Sequence, residues 1–275
     1  MFKKILIVFL TGIFTFSFVI AANAYSYWTS SSKIGVSRFL YSEPGDSDNG
    51  LQYSLIQRFN YHNNLFFAEI RGAGGYISGT YNGFSSGGGS DTTPVSADVH
   101  YKNWSVLGGA GIDYRMFAGK MQNQIYASLS ENNMTWMMGN YSGGYNENYN
   151  TRYIGLNYKN IYAITPKLST VFGFDYRYGI GGSATATNYK LYSNAPSETV
   201  TGILGGEWGY KALAGIRYRI NNNLSLSFDL IYDAYFFKHS GNDYYYIGNG
   251  DYTAIEEPDS HTVIYGTEFG LHYDF

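Results

Sequence analysis

The last fifteen residues, from His261 to Phe275, alternate between apolar and polar side chains. Successive side chains of a β-strand point to opposite faces, so this stretch forms a strand with one apolar and one polar face. The apolar face contains Val263, Tyr265, Phe269, Leu271, Tyr273 and Phe275. Such a strand suits the wall of a closed barrel in lipid, or one sheet of a secreted β-sandwich.

The terminal residue favours the barrel. Phe275 is aromatic, Tyr273 is aromatic two positions earlier, and apolar residues precede them on the same face. This ending resembles the C-terminal signature of bacterial outer-membrane β-barrel proteins, which their assembly machinery binds. We therefore expect the barrel-assembly machinery to be a partner through the strand that ends at Phe275.

The N-terminal residues predict export. Lys3 and Lys4 precede an apolar run, Ile5 to Ile20, and the small-x-small sequence Ala22-Asn-Ala24 follows. These are the parts of a secretory signal peptide, and the run is shorter than the ~20 residues of a membrane-spanning helix. We predict a signal peptide at residues 1–24, cleaved after Ala24, and a single barrel domain at residues 25–275.

The composition agrees with a lipid-facing barrel and excludes other classes. Aromatic residues make up 19% of the chain, including 30 tyrosines, while charged residues make up 14%. Aromatic side chains anchor barrels at the two membrane interfaces. A net charge of −3 argues against a nucleic-acid partner. No cysteine is present, which excludes disulfides and thiolate zinc sites.

Period-two alternation predicts an all-β, transmembrane antiparallel barrel of ten strands, with eight or twelve as alternatives. The predicted strands are Lys33–Tyr41, Leu51–Tyr61, Leu65–Tyr81, Trp104–Phe117, one that begins at Gln122, Thr151–Ile164, Leu168–Ile180, Trp208–Ile220, Leu224–Phe237 and His261–Phe275. Short turns are predicted at His62–Asn64, Ala118–Met121, Thr165–Lys167 and Asn221–Asn223, and long loops at Ser42–Gly50, Asn82–Ala97, near Asn150, Gly181–Glu207 and His239–Asp259. Outer-membrane barrels place short turns in the periplasm and long loops outside the cell.

The inward phase of several strands carries opposite charges two positions apart. The three pairs are Glu69 and Arg71, Asp113 and Arg115, and Asp175 and Arg177. We expect a mixed-sign network inside the barrel, and favour a lumen filled by side chains over a diffusion pore, because a ten-stranded barrel is only slightly wider than a filled eight-stranded one. We also expect the lumen to accept Gly215→Ser more readily than the lipid face accepts Ala214→Arg.

No motif predicts a metal, a cofactor or a complete catalytic set. Asp46-Ser-Asp48-Asn-Gly50 begins like a calcium loop, but its glycine comes one position early and the downstream glutamate is missing. Gly87-Gly-Gly89 lacks the lysine and hydroxyl of a phosphate-binding loop. Both stretches are therefore interpreted as loops.

Two Asp-x-His pairs are the remaining catalytic candidates. Asp98 and His100 precede the fourth predicted strand, and Asp259 and His261 enter the tenth. Side chains two positions apart lie on one face of a strand, so each aspartate could orient its histidine to activate water. The alternative is an ordinary polar role at a strand entrance.

Several fragments resemble the omptins, which are outer-membrane endopeptidases with ten-stranded barrels. The fragments are Gly72–Tyr76, Tyr153–Leu156 and Tyr176–Tyr189. Omptins carry an acidic pair in the second loop and an Asp-Glu-His run in the fourth. Here the fourth-loop stretch Ala184–Tyr189 contains neither aspartate nor histidine, and the second loop offers only Asp91 and Asp98.

The resemblance therefore implies the omptin fold without the omptin general base. We expect a non-catalytic, omptin-like protein of the Gram-negative outer membrane, surrounded by lipid that includes lipopolysaccharide, whose surface loops bind an extracellular ligand or mediate adhesion. An omptin-type protease or other hydrolase is the first alternative, and a small porin is the second.

Overall fold

The computed structural model describes residues 26–86, 92–138, 146–189, 198–204, 206–240, 243–248, 251–255 and 258–275. The predicted cleavage site after Ala24 lies outside these residues. Within them, no helix is long and apolar enough to cross a membrane.

The described residues form thirteen antiparallel strands. Their bounds are β1 Ser26–Glu43, β2 Asp46–Asn63, β3 Phe66–Ser86, β4 Thr92–Met116, β5 Met121–Met138, β6 Asn146–Ala163, β7 Leu168–Tyr189, β8 Glu198–Ile203, β9 Glu207–Arg219, β10 Leu224–Phe237, β11 Asp243–Gly248, β12 Asp251–Ile255 and β13 Ser260–Asp274. Ten of them close a ring in the order β1 to β7, β9, β10 and β13, with β13 pairing back onto β1. β8 continues the ring beside the end of β7, while β11 and β12 pair only with each other. The prediction of a ten-stranded antiparallel barrel is confirmed.

One end of the barrel carries the four short turns predicted from the sequence. They lie at Asn64–Leu65, Phe117–Lys120, Ile164–Lys167 and Ile220–Asn223. The two chain ends of the barrel, β1 and β13, also begin and finish there: the amide of Phe275 donates to the carbonyl of Trp28 at 2.9 Å. We call this the lower end, and the opposite end the upper end.

The outward phase of the strands matches the prediction. Ile34 and Leu156, for example, are 63% and 61% exposed although both are aliphatic. On each wall strand the exposed large apolar side chains share one phase, whereas most residues of the other phase are buried or half-buried in the lumen. A surface of this kind is stable only against an apolar medium, so it forms the lipid-facing band of the barrel.

The strands are longer at the upper end than the alternation predicted. Ser42–Gly50, predicted as a loop, is a hairpin whose turn is only Pro44 and Gly45. Proline fixes the first turn position, and Gly45 takes the positive φ of 94° that the second requires. Sequence alternation disappears here because both faces of the hairpin are polar, although the strands stay paired.

The same extension occurs in the neighbouring hairpin. β3 and β4 stay paired from Ser78 with His100 up to Ser86 with Thr92, which is nine residue pairs above Tyr76. At ~3.3 Å per residue, these pairs add roughly 30 Å of ribbon beyond the aromatic edge of the apolar band. The upper end therefore projects well out of the lipid-facing region.

Candidate functional site

Oppositely charged side chains from several strands form ion pairs in the middle of the lumen. Lys33 Nζ lies 2.8 Å from Asp229 Oδ2 and 3.0 Å from Glu268 Oε2. Lys211 Nζ lies 3.1 Å from the other oxygen of Glu268, which is only 2% exposed. Glu268 thus links β1, β9 and β13, and Asp229 joins β10 to them through Lys33, because burial of a charge requires a partner.

A second ion-pair network connects β2, β3 and β7. Glu69 forms ion pairs with Arg58, whose Nε lies 3.4 Å from Oε2, and with Arg71, whose Nε lies 3.8 Å from Oε1. Arg71 Nη1 also lies 3.9 Å from Asp175 Oδ2. Arg71 therefore pairs both along its own strand and across the barrel. The mixed-sign interior predicted from the charge pairs is present, although most contacts join different strands.

The two other predicted pairs, Asp113 with Arg115 and Asp175 with Arg177, are not ion pairs in the structure. Asp113 contacts His62 Nδ1 at 2.8 Å near the lower end, while Arg115 is exposed. Arg177 pairs with Asp233 of β10. A spacing of two places both side chains on one face of a strand, but here each partner lies two strands away in the ring. His62 on β2 reaches Asp113 on β4, and Asp233 on β10 reaches Arg177 on β7.

Above these networks, buried apolar side chains form a floor across part of the lumen. The residues of this floor are Phe39, Ile77, Val99, Tyr101 and Trp136. All five have the inward phase of β1, β3, β4 or β5, and the rings of Phe39 and Tyr101 lie 4.9 Å apart. The floor lies between the ion-pair networks and the polar groups above it.

Four carboxyl groups face the interior at the upper end, and we call them the acidic chamber. They are Glu43, Asp46, Asp48 and Glu147. The first three come from the β1–β2 hairpin and the fourth from β6. Together they form the negatively charged surface above the floor.

Asp48 is anchored to the floor. Tyr101 donates its hydroxyl to Asp48 Oδ2, and Trp136 Nε1 donates to the same oxygen at 3.2 Å. Asp48 is 4% exposed, and its Oδ1 has no hydrogen-bond partner. Burial raises the pKa of Asp48 to about 6, against the lowering effect of the two donors.

Glu43 and Glu147 are each held by a tyrosine of the same strand. The hydroxyl of Tyr41 donates to Glu43 at 2.6 Å, and that of Tyr149 donates to Glu147 at 2.5 Å. Burial raises the pKa of Glu43 to about 7, and its hydrogen bond to Asp46 and the negative charges of Asp46 and Glu147 act in the same direction. Mutual repulsion of this kind gives the chamber an affinity for positive charge.

The two Asp-x-His pairs lie on the outer wall, away from the chamber. His100 Nδ1 lies 3.0 Å from the Tyr76 hydroxyl, and the two rings stack. His261 stacks on Phe236, while Asp259 accepts the backbone amide of His239 at 2.5 Å. Asp98 is exposed. The structure therefore gives the histidines aromatic partners just above the lipid-facing band.

The remaining predicted stretches have structural roles or lie outside the described residues. Ala184–Tyr189, which corresponds to the fourth omptin loop, belongs to β7, and Ala184 is buried. Among the described residues no cluster of three or more acidic or histidine groups has metal-binding geometry. Gly87–Gly89 and Asp91 fall outside the described part of the chain.

The sequence reasoning did not identify the acidic chamber. Alternation predicts loops at Ser42–Gly50, which contains Glu43, Asp46 and Asp48, and near Asn150, which includes Glu147. A signal was available: Tyr41-Ser-Glu43 and Glu147-Asn-Tyr149 each place a tyrosine and a glutamate two residues apart. In a paired strand this spacing puts both side chains on one face.

Comparison with known proteins gives the fold. No family model matches the chain, and no curated protein sequence matches it. The outer-membrane protease OmpT of Escherichia coli has a similar structure, with 12% identity over 92% of this chain and 97% of that one and a TM-score of 0.60. The translocator domain of NalP from Neisseria meningitidis follows with 11% identity, coverage of 94% and 92%, and a TM-score of 0.45. Ail of Yersinia pestis, in complex with the heparin analogue sucrose octasulfate, has 13% identity, coverage of 88% and 98%, and a TM-score of 0.29.

These sequence identities are too low to transfer an activity. The structural similarity shows that the chain has the fold of an outer-membrane β-barrel and that it resembles the omptin barrel.

Proposed function

We propose that this protein is exported by a signal peptide at residues 1–24 and inserted into the outer membrane of a Gram-negative bacterium. There it binds an extracellular ligand at its upper end without cleaving it. The fold supports the membrane location, and the lipid-facing band would contact outer-membrane lipid, including lipopolysaccharide. Phe275, exposed at the end of the closing strand, is available to the assembly machinery.

The acidic chamber is the observation that carries the binding proposal. A barrel wall needs no carboxyl groups at its upper interior for stability, since burial of Glu43 and Asp48 disfavours their charged forms. Such a cost persists most often at functional sites. The four acids beside tyrosine side chains suit a ligand that carries amino or guanidinium groups, such as a basic peptide.

The geometry favours binding over hydrolysis. The acids of the chamber are hydrogen-bonded by Tyr41, Tyr101, Tyr149 and Trp136, which stabilise their positions. The histidines of the two Asp-x-His pairs face the outside of the barrel, so they cannot act as a general base on a ligand held in the chamber.

The geometry also favours binding over conduction. The lumen at the level of the lipid-facing band holds two ion-pair networks, and the cavity between them measures about 50 Å³. A cavity of this size holds only a few water molecules, so it is far smaller than an aqueous channel.

Binding of a lysine- and arginine-rich peptide to the refolded barrel tests the proposal. We expect the triple variant Glu43→Gln, Asp46→Asn, Glu147→Gln to bind the peptide at least tenfold more weakly than the wild type at low salt. The triple variant Asp98→Asn, Glu131→Gln, Asp259→Asn is the matched control, because it removes the same number of carboxylates from the outer wall, where Glu131 pairs with Arg152. Equal loss in the control would show that only net charge matters, and unchanged binding in the triple variant would overturn the proposal.

The same samples separate the alternatives. Mass spectrometry of the peptide after incubation should detect no cleavage product, whereas a product lost with His100→Ala or His261→Ala would establish the hydrolase. Planar-bilayer recordings should show no steady conductance, whereas stepwise channels would establish the porin.

Orientation is tested with single cysteines in this cysteine-free chain. A cysteine at Ser47, exposed at the upper end, should react with an impermeant label on intact cells. One at Asn222, in a lower turn, should not react. The opposite pattern would place the acidic chamber in the periplasm and refute extracellular binding.

A further inference from the structure

The lumen contains more positive than negative charge at the level of the lipid-facing band. The small central cavity is lined by six cationic side chains, namely Lys33, Arg58, Arg71, Lys159, Lys211 and Arg217. Three carboxylates line it as well, namely Asp175, Asp229 and Glu268, and Glu69 pairs with two of the arginines from behind. Six cations against these four carboxylates leave two positive charges unmatched around the cavity. The next carboxylate, that of Asp274 on β13, attracts Arg217 from outside the cavity lining.

The ion pairs show where the excess lies. Lys33, Arg58, Arg71 and Lys211 each lie within 4.0 Å of a carboxylate. In the described part of the chain, no carboxylate lies within this distance of Lys159 or Arg217. The two cations on β6 and β9 therefore face the cavity without an acidic partner.

The contacts of Arg217 do not neutralise it. Its Nη2 lies 3.4 Å from Nδ1 of His272, whose Nε2 lies 2.9 Å from the Ser227 hydroxyl. An Nδ1 that accepts from Arg217 belongs to a neutral imidazole, which supplies no negative charge. The Nε of Arg217 is buried without a hydrogen-bond partner. Arginine stays protonated in proteins, so this charge requires a counterion.

We propose that a small monovalent anion of the size of chloride binds in the central cavity between Lys159 and Arg217. The cavity of about 50 Å³ accommodates a water-sized ion. The carboxylates at its edge disfavour multivalent oxyanions. The bound anion offsets the repulsion between the two cations and gives the buried Nε of Arg217 an acceptor.

Thermal unfolding of the refolded mature chain in detergent tests the site. Sodium chloride and sodium gluconate are compared at equal pH and ionic strength, because gluconate is too large for the cavity. Above the dissociation constant, each tenfold increase in chloride should raise Tm by about 3–5 °C. Sodium bromide should act like chloride, and anomalous diffraction from bromide-grown crystals should show a peak between Lys159 and Arg217.

Variants separate a bound ion from general screening. Lys159→Met and Arg217→Met should each remove the difference between chloride and gluconate. Arg152→Met, which removes a cation from the outer wall, should keep it. Equal Tm values in the two salts for the wild type would overturn the proposal, as would a chloride effect that survives in both lumen variants. If a lumen variant does not fold, the bromide peak decides: its absence between the two cations refutes the site.

Discussion

The depth of the lipid-facing band can be tested with a charge at Ala214. This exposed residue of β9 lies midway between Tyr210 and Tyr218, four residues from each on the outward phase. Four residues span about 13 Å along a strand, or about 10 Å along the membrane normal at the usual tilt of ~40°. Ala214 therefore lies close to the centre of a band ~25 Å tall, where an arginine costs ~2–4 kcal/mol.

The assay is denaturant unfolding of Ala214→Arg in lipid vesicles, with Ser78→Arg as the matched control. Ser78→Arg also replaces a small exposed side chain on the outward phase, but Ser78 lies two residues above Tyr76, where the expected cost is only ~0–1 kcal/mol. The difference between the two variants thus measures depth and not the arginine itself. Similar costs for both, or a cost near zero at Ala214, would show that the band or the phase of β9 is assigned incorrectly.

Two further predictions concern the interior. Gly215→Ala should destabilise the barrel by about 1–3 kcal/mol, as overpacking of a core does, because the added Cβ would lie 2.1 Å from a carboxylate oxygen of Asp229. Gly173→Ala is the control: its Cβ would meet nothing closer than 3.5 Å, so it should be nearly neutral in the same unfolding assay. Burial raises the pKa of Glu43 to about 7 and of Asp48 to about 6, so the folded state binds these protons more tightly than the unfolded state. The stability that these two groups contribute is therefore fully present below about pH 4 and is lost as the pH rises through 6 and 7. The difference in the free energy of unfolding between the wild type and a Glu43→Gln, Asp48→Asn variant should decrease over this range, and a difference that does not change with pH would contradict the prediction.

The barrel and its phase could be predicted from the sequence because lipid and lumen differ strongly. Along β1, Ile34 and Val36 alternate with Lys33 and Ser37, and the same pattern recurs in the other predicted strands. Together with the aromatic C-terminal residue Phe275, this pattern favoured a barrel over a β-sandwich. Above the lipid-facing band this contrast ends. Ser47 and Asn49 face outward and Asp48 inward, yet all are polar, so the sequence pattern could not distinguish a paired strand from a loop.

The packing of side chains inside the lumen could not be predicted from the sequence either. Alternation correctly places Gly215 on the inward phase, and for this reason Gly215→Ser is predicted to have a small effect on stability. The structure revises this expectation, because an added Cβ would meet Asp229 Oδ1 at 2.1 Å and the carbonyl of Phe228 at 2.6 Å. Which neighbour covers a glycine depends on the side-chain conformation of the adjacent strand, and a single strand pattern contains no information about it.

The vertical order of charges explains why binding at the upper end is compatible with a closed lumen. A cationic group is attracted into the acidic chamber, but the next layer down is the apolar floor around Phe39 and Trp136. Below the floor, the two ion-pair networks around Glu268 and Glu69 fill the lumen with side chains. The attraction that the acidic chamber exerts on a cationic ligand therefore ends at the floor. A ligand of this charge is held at the mouth of the barrel and is not drawn through it.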